Sequence, residues 1–197
     1  MSGPQDTHIG RWGCSFLVIA PVVCVITIGW WFRAYIIAQN RENCANCMHE
    51  IMYAAILYAN DHGGAFPNDL STLELSTNLT PAVFICPASS DKPSSGATAG
   101  AIATDLKRAG HLSYVYVGGG LNQANGPDVV ALYEPLGNHG RRGMNVAFAD
   151  GHIEWLTAAE AQPILKQAAS GVHRIRWSPT TAPATAPMTR VVDRVQP

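Results

Sequence analysis

Residues 138–156 read NHGRRGMNVAFADGHIEWL, and this stretch decides the fold of the chain. Large apolar residues alternate with smaller ones from Met144 onwards, and apolar residues return after Asp150-Gly151. An Asp-Gly pair tolerates the positive φ angles of a type I′ turn, so the pattern predicts a β-hairpin.

Two further short apolar runs precede the hairpin, at residues 112–117 and 129–133. Three glycines at positions 118–120 close the first run, which is typical of a strand exit. Together with the two arms of the hairpin, these runs predict a four-stranded antiparallel sheet with one apolar face to cover.

The N-terminal part carries an apolar segment, residues 12–32, with 21 uncharged residues between Arg11 and Arg33. As a helix it would measure about 31 Å, which matches the hydrocarbon core of a membrane. We therefore expect a short N-terminal segment (residues 1–11) and a transmembrane helix over residues 12–38. A cleaved secretory signal is the alternative, but the run is longer than a usual signal core, and the aromatic residues near its ends suit a retained anchor.

No glycine or proline lies between Gly29 and Gly63, so the membrane helix is predicted to continue into the head domain, residues 39–177. From Ser15 to Asn60 it would reach about 69 Å. Its second half carries an apolar stripe at spacings of three and four, made of Cys44, Met48, Ile51, Ala55 and Tyr58. We expect this stripe to cover the sheet, which gives an α+β fold in which a long N-terminal helix packs on a small antiparallel sheet.

The rest of the head domain is predicted from local signals. Thr157, with Glu160 three residues later, predicts a capping box that opens a helix ending near Ala169. Residues 89–100 are rich in serine, glycine and alanine and predict an exposed, mobile loop. Residues 178–197 are mostly threonine, proline and alanine with scattered charges, which predicts a disordered tail.

Composition and motifs narrow the function. The formal net charge is −1 and the sequence has no basic run, so nucleic acid is not an expected partner. The sequence also has no nucleophile elbow and no phosphate-binding loop. We therefore expect neither enzymatic activity nor a cofactor.

The Cys44–Cys47 pair has the CxxC spacing of redox and metal motifs. A redox pair would open a helix after a strand, whereas this pair lies inside a long predicted helix. A haem attachment site would need histidine where Met48 stands, and a zinc site would have to recruit Cys86 and a histidine. The favoured interpretation is a disulfide between Cys86 and either Cys44 or Cys47, which requires an oxidising compartment, and free buried thiols are the alternative.

Polar residues of the hairpin stretch could also bind a metal. His139 and His152 could approach each other across the hairpin, with Asp150 at the turn. The same residues have structural explanations, because aspartate suits the turn and His139 and Asn145 can hydrogen-bond to loop backbone. The sequence therefore predicts no metal site, with His139, Asp150 and His152 as the weaker alternative.

With these motifs in hand, the chain resembles the pseudopilin-like bacterial proteins that carry a prepilin-type processing-associated H-X9-DG domain at their C-terminus. The resemblance covers about residues 40–157. It rests on Cys44-x-Asn46-x-Met48-x-x-Ile51 with Tyr58-Ala-Asn-Asp61 and Phe66-Pro67, on Phe84-Ile-Cys86-Pro87, on Ser113-Tyr-Val-Tyr116, and on the signature residues His139, Asn145, Asp150 and Gly151.

This resemblance implies a pilin-like fold, an anchor in the bacterial inner membrane and a head outside the cytoplasm. It also implies a non-enzymatic role as an accessory to a type II secretion or pilus-like assembly, with lipid and other pilin-like or secretion-system proteins as partners. The alternative is a membrane-anchored extracytoplasmic binding or sensor module that presents a loop over residues 89–110 and the histidine hairpin.

The sequence departs from the family pattern in two places. Ten residues, rather than nine, separate His139 from Asp150. The prepilin cleavage pattern, a glycine before phenylalanine or methionine with glutamate at the fifth mature position, is not matched at Gly13-Cys14.

Overall fold

The computed structural model describes residues 12–77 and 79–179. Residues 1–11 and most of the predicted tail lie outside the described residues. The helices and strands follow one another as α1 (Trp12–Asp61), α2 (Leu70–Ser76), α3 (Ala99–Leu106), β1 (Val115–Tyr116), β2 (Val130–Tyr133), β3 (Gly143–Phe148), β4 (Ile153–Thr157) and α4 (Gln162–Ala169). Short 3₁₀ helices lie at Pro81–Phe84 and Gln123–Asn125.

The predicted α+β fold is confirmed. The four strands form one antiparallel sheet in the order β1-β2-β3-β4, and the long helix α1 packs against it. The first strand is shorter than predicted, because only Val115–Tyr116 pair with β2 within the apolar run 112–117.

Helix α1 is continuous over 50 residues but has two environments. Residues 21–36 are exposed along every face, whereas the second half packs into the head. Four residues of the predicted stripe are fully buried and the fifth is partly buried, in the order Cys44, Met48, Ile51, Ala55 and Tyr58. The helix ends where Gly64, at a φ of 88°, donates its N–H to the carbonyl of Ala59 at 2.8 Å. A side chain at Gly64 would disfavour this left-handed cap.

The predicted hairpin is present, with Asn145 opposite Trp155, but its turn is not type I′. The Gly151 N–H donates to the Phe148 carbonyl at 2.9 Å, and Gly151 has a φ of 93°. Among the described residues other than glycine only Arg141 has a positive φ, so Asp150 does not. This geometry is that of a longer hairpin turn whose last residue is a glycine in the left-handed region. Of the turn residues, only Gly151 therefore has to adopt a positive φ.

The sheet is buried on both faces, whereas the sequence predicts one apolar face that packs on the long helix. The large residues Met144, Val146 and Phe148 pack with Ile164 of α4. The small residues Ala147 and Ala149 belong to the core that surrounds α1. Small side chains allow a helix backbone to approach a sheet closely, so the alternation of large and small residues in β3 assigns one helix to each face.

Two helices differ from their predictions. Helix α4 begins at Gln162, with Pro163 in its first turn, although Glu160 accepts the predicted hydrogen bond from the Thr157 N–H at 2.8 Å. The capping box therefore closes the turn before the helix. Pro163 lies in the first turn of α4, where a helix tolerates proline. Helix α3 lies in the region 89–110 that was predicted as loop, and Thr98 caps it by accepting from the Ala101 N–H at 3.2 Å.

Candidate functional site

Four chemically active side chains converge between α1 and the sheet. Cys44 comes from α1, Cys86 follows a 3₁₀ helix, Glu134 follows β2, and His139 lies in the loop before β3. All four are buried, and their donor atoms lie within 4.8 Å of one another. We refer to Cys44, Cys86, Glu134 and His139 as the buried cluster.

The sulfur atoms of the cluster form a disulfide. The structure joins Cys44 to Cys86, with their Cα atoms 5.1 Å apart, a normal spacing for a disulfide. Of the two partners that the sequence left open for Cys86, the structure therefore uses Cys44. Cys47 is a free, partly buried thiol one turn further along α1, and burial raises its pKa.

Glu134 and His139 form the polar part of the cluster. The Nε2 atom of His139 lies 3.0 Å from Oε2 of Glu134 and 3.7 Å from Sγ of Cys86. The backbone N–H of Asn145 donates to the same Oε2 atom at 2.8 Å. The second carboxylate oxygen, Oε1, is buried and has no hydrogen-bond partner among the described residues. A fully buried carboxylate with one orphaned oxygen is costly, so this group calls for an explanation beyond packing.

A second set of contacts ties the cluster to the helix. The ring of His139 meets Trp155 edge-on, with centroids 5.2 Å apart, and the guanidinium of Arg41 lies 4.7 Å from the centre of the Trp155 ring. The Asn145 amide donates to the Arg41 carbonyl at 3.0 Å. Helix α1 is thus fixed to β3 and β4 at the level of Arg41, close to the end of its exposed apolar half.

A surface groove borders the cluster on the side of the exposed apolar half of α1. It measures about 340 Å³ and is lined by residues of α1 and of the loop before β3, among them Arg33, Asn40, His139 and Arg142. His139 is the member of the cluster that lines this groove. The buried cluster therefore borders the groove at one side chain.

The signature residues divide between two places. His139 and Asn145 belong to the cluster and its immediate support. Asp150 lies at the tip of the hairpin and accepts from the His152 N–H at 3.1 Å, while the His152 ring stacks on Phe148 with centroids 4.3 Å apart.

The structure does not bring together His139, Asp150 and His152, the residues of the weaker metal alternative. The side chains of Asp150 and His152 are 39% and 37% exposed at the hairpin tip, whereas that of His139 is 2% exposed. Trp155, which contacts His139, pairs with Asn145 in the middle of the hairpin, away from its tip. Asp150 acts as a turn residue that holds the backbone of His152.

Sequence reasoning missed Glu134. The available signal was its position, since it directly follows the apolar run 129–133 and precedes Pro135. An acidic residue at the end of a strand is more often exposed than buried, so this signal was weak. Only the pairing of β2 with β3, which places Glu134 beside Asn145, shows its burial.

The chain matches no family model, no curated protein and no solved structure. The resemblance to the pseudopilin-like proteins therefore remains an expectation. The donor atoms of the buried cluster, two sulfurs, an imidazole nitrogen and a carboxylate oxygen, support disulfide exchange or binding of a borderline-soft metal ion such as zinc.

Proposed function

We propose that this chain is a non-enzymatic, single-pass membrane protein of pilin-like fold, with its head outside the cytoplasm of a bacterium. We further propose that it acts as an accessory to a type II secretion or pilus-like assembly in the inner membrane. The observation that carries the proposal is the continuity of α1, in which one helix runs from an exposed apolar half into the core of the head.

The apolar half of α1 supports the membrane anchor. It exposes large apolar side chains around its whole circumference, including Val25, Ile26, Ile28, Trp30 and Trp31 at 63% to 80% exposure. Soluble proteins rarely expose such a contiguous apolar surface, whereas lipid requires it. The two tryptophans and Tyr35 lie where the helix would leave the hydrocarbon core, the position that interfacial aromatic residues favour.

The disulfide supports the placement of the head. Structural disulfides persist in oxidising compartments and are rare in the bacterial cytoplasm. The Cys44–Cys86 bond joins α1 to the segment after the 3₁₀ helix, within the core of the head. A head that keeps this bond therefore fits a location outside the cytoplasm.

Membrane placement is tested by labelling with a membrane-impermeant maleimide. A cysteine is introduced at the exposed Lys166 position of α4, in a chain in which every cysteine outside the Cys44–Cys86 pair is replaced, by Cys14→Ala, Cys24→Ala and Cys47→Ala. We expect labelling in intact spheroplasts and retention of the protein in membranes after alkaline carbonate extraction. Labelling only after lysis, or release by carbonate, would contradict the proposal.

The assembly role is tested separately by photo-crosslinking in cells. A photo-reactive residue at Val25 or Trp30 faces the surroundings of the exposed helix, and the same residue at the exposed Lys166 is the matched control. We expect adducts with pilin-like or secretion-system proteins from the helix positions only. Adducts with lipid alone would favour a stand-alone membrane-anchored binding or sensor module.

A further inference from the structure

We propose that the buried cluster binds one divalent metal ion of the zinc type when its disulfide is reduced. Cys44, Cys86, Glu134 and His139 would then be the four ligands. This inference concerns the head alone and does not depend on the proposed membrane or assembly role.

The ligand types and their number fit zinc. Zinc in structural sites takes four ligands from cysteine sulfur, histidine nitrogen and carboxylate oxygen in a tetrahedral arrangement. The ligand bond lengths of such a site place neighbouring sulfur and nitrogen atoms about 3.5 Å apart, and nitrogen and oxygen atoms about 3.3 Å apart. The corresponding separations in the cluster are 3.7 Å from Cys86 to His139 and 3.0 Å from His139 to Glu134.

The orphaned oxygen of Glu134 is an independent observation that points to a cation. Glu134 is fully buried, and Oε1 has no partner among the described residues while Oε2 is held by Asn145. A divalent cation would offset two of the three negative charges that this carboxylate and the two thiolates carry together. Asn145 would then act as the outer support that orients a metal ligand, a role typical of groups hydrogen-bonded to such ligands.

The ligands are also held in advance by the fold. Cys44 lies on α1, Glu134 directly follows β2, and His139 is packed edge-on against Trp155. Only the sulfur atoms must separate to make room for an ion, and the groove lined by His139 lies next to the cluster. A set of ligands fixed by regular elements is favoured for metal binding because little ordering remains to be done.

The two states of the cluster exclude each other. A dithiol reductant passes two electrons and two protons to the Cys44–Cys86 bond, which breaks, and the reductant closes its own disulfide. One metal ion then binds the two sulfurs and displaces the two thiol protons. In reverse, exchange with an external disulfide forms the Cys44–Cys86 bond again, reduces the external disulfide to its two thiols and releases the ion. The cluster would therefore report the thiol redox state of its compartment.

The test measures metal binding by the full chain in detergent, oxidised and after reduction with a phosphine. Cobalt(II) is the spectroscopic probe and zinc(II) the competitor. We expect one cobalt per reduced chain with tetrahedral, thiolate-ligated absorption that zinc abolishes, and no such signal from the oxidised chain. Absence of stoichiometric binding by the reduced chain would overturn the proposal.

Variants identify the ligands. We expect Glu134→Gln to keep the disulfide and to weaken zinc binding by the reduced chain about tenfold or more. The matched controls, Cys47→Ala and His152→Ala, remove the nearest other thiol and the other hairpin histidine, and we expect unchanged affinity. If either control abolishes binding, the ion lies elsewhere and the assignment is wrong.

A thermal unfolding measurement keeps the proposal testable if the chain loses structure when its disulfide is reduced. If the reduced chain is destabilised, zinc in excess over its dissociation constant must raise the Tm of the reduced chain, because the ion binds only the folded state. The Tm of the oxidised chain must not change. Equal shifts in both states would show that zinc acts at another site.

Discussion

Removal of the Cys44–Cys86 disulfide is the perturbation for which the structure gives the clearest magnitude. The two cysteines are 42 residues apart, so the bond closes a long loop in the unfolded chain. The chain-entropy relation gives about 4 kcal/mol of lost unfolding free energy for a loop of this length. For a domain of this size, that loss corresponds to a fall in Tm of about 12 °C.

The assay is urea unfolding of the full chain in detergent, followed by tryptophan fluorescence, with a chelator present so that no metal contributes. The test variant carries Cys44→Ala and Cys86→Ala. The matched control carries Cys24→Ala and Cys47→Ala, which removes as many sulfur atoms but leaves the disulfide. We expect the control to stay within about 1 kcal/mol of the parent chain.

A loss below about 1 kcal/mol in the test variant would refute the reasoning. It would mean either that the disulfide does not form in solution or that the unfolded chain is already restricted near these residues. Counting free thiols in the unreduced protein separates the two cases. The chain has five cysteines, so three free thiols would show that the Cys44–Cys86 bond forms, and five would show that it does not.

Three further predictions concern the head. Asp69→Ala removes the cap of α2 and should lower the free energy of unfolding by about 1 kcal/mol. Hydrogen bonding, chiefly from the Ser71 hydroxyl, lowers the Asp69 pKa from 3.8 to about 2. In acid-unfolding curves, the extra stability of the parent chain should therefore be complete above pH 3.8 and vanish as the pH falls through 2. Gly143→Ala should cost about 2 kcal/mol, because its Cβ would overlap a backbone carbonyl of β4, whereas Gly137→Ala, which meets nothing, should stay within about 0.5 kcal/mol in the same denaturation assay. Cys47 should react with iodoacetamide more slowly in the folded chain than in urea, because burial raises its pKa, and equal rates would contradict that burial.

The architecture was largely predictable because its signals are local and periodic. The apolar stripe that includes Met48 and Ile51, the alternation in β3 and the glycine at position 151 each act within a few residues of sequence. Helix α3 was missed for a related reason. Its residues are mostly alanine and glycine with few large apolar side chains, so no stripe marks them, and the helix is specified by Thr98 and by packing of Leu106.

The assignment of helices to the sheet faces was not predictable from the alternation alone. Large residues in β3 suggested the face that the long helix would cover, but α1 lies over the small residues Ala147 and Ala149. A helix that carries Met48 and Met52 brings its own bulk and needs space on the sheet. The short helix α4 contributes fewer large residues, so the sheet supplies the bulk on that side. Side-chain volumes have to be complementary across an interface. A period-two pattern shows which residues of a strand share a face of the sheet, but it does not show which helix covers that face.

The buried cluster was not predictable from the sequence because its members come from four separate segments. Glu134, which joins the other members, also has the weakest local signal. Cys86 was linked to α1 through cysteine pairing, and His139 was singled out as part of a motif, but each was given a different role. Glu134 joins them, since its carboxylate contacts His139 and is held by Asn145. A disulfide alone would need neither acid nor histidine beside it, and a hydrophobic pair would pack there at lower cost. A buried carboxylate with an orphaned oxygen, placed beside two sulfurs and an imidazole, is therefore a feature of this head that packing does not explain and that metal binding would explain.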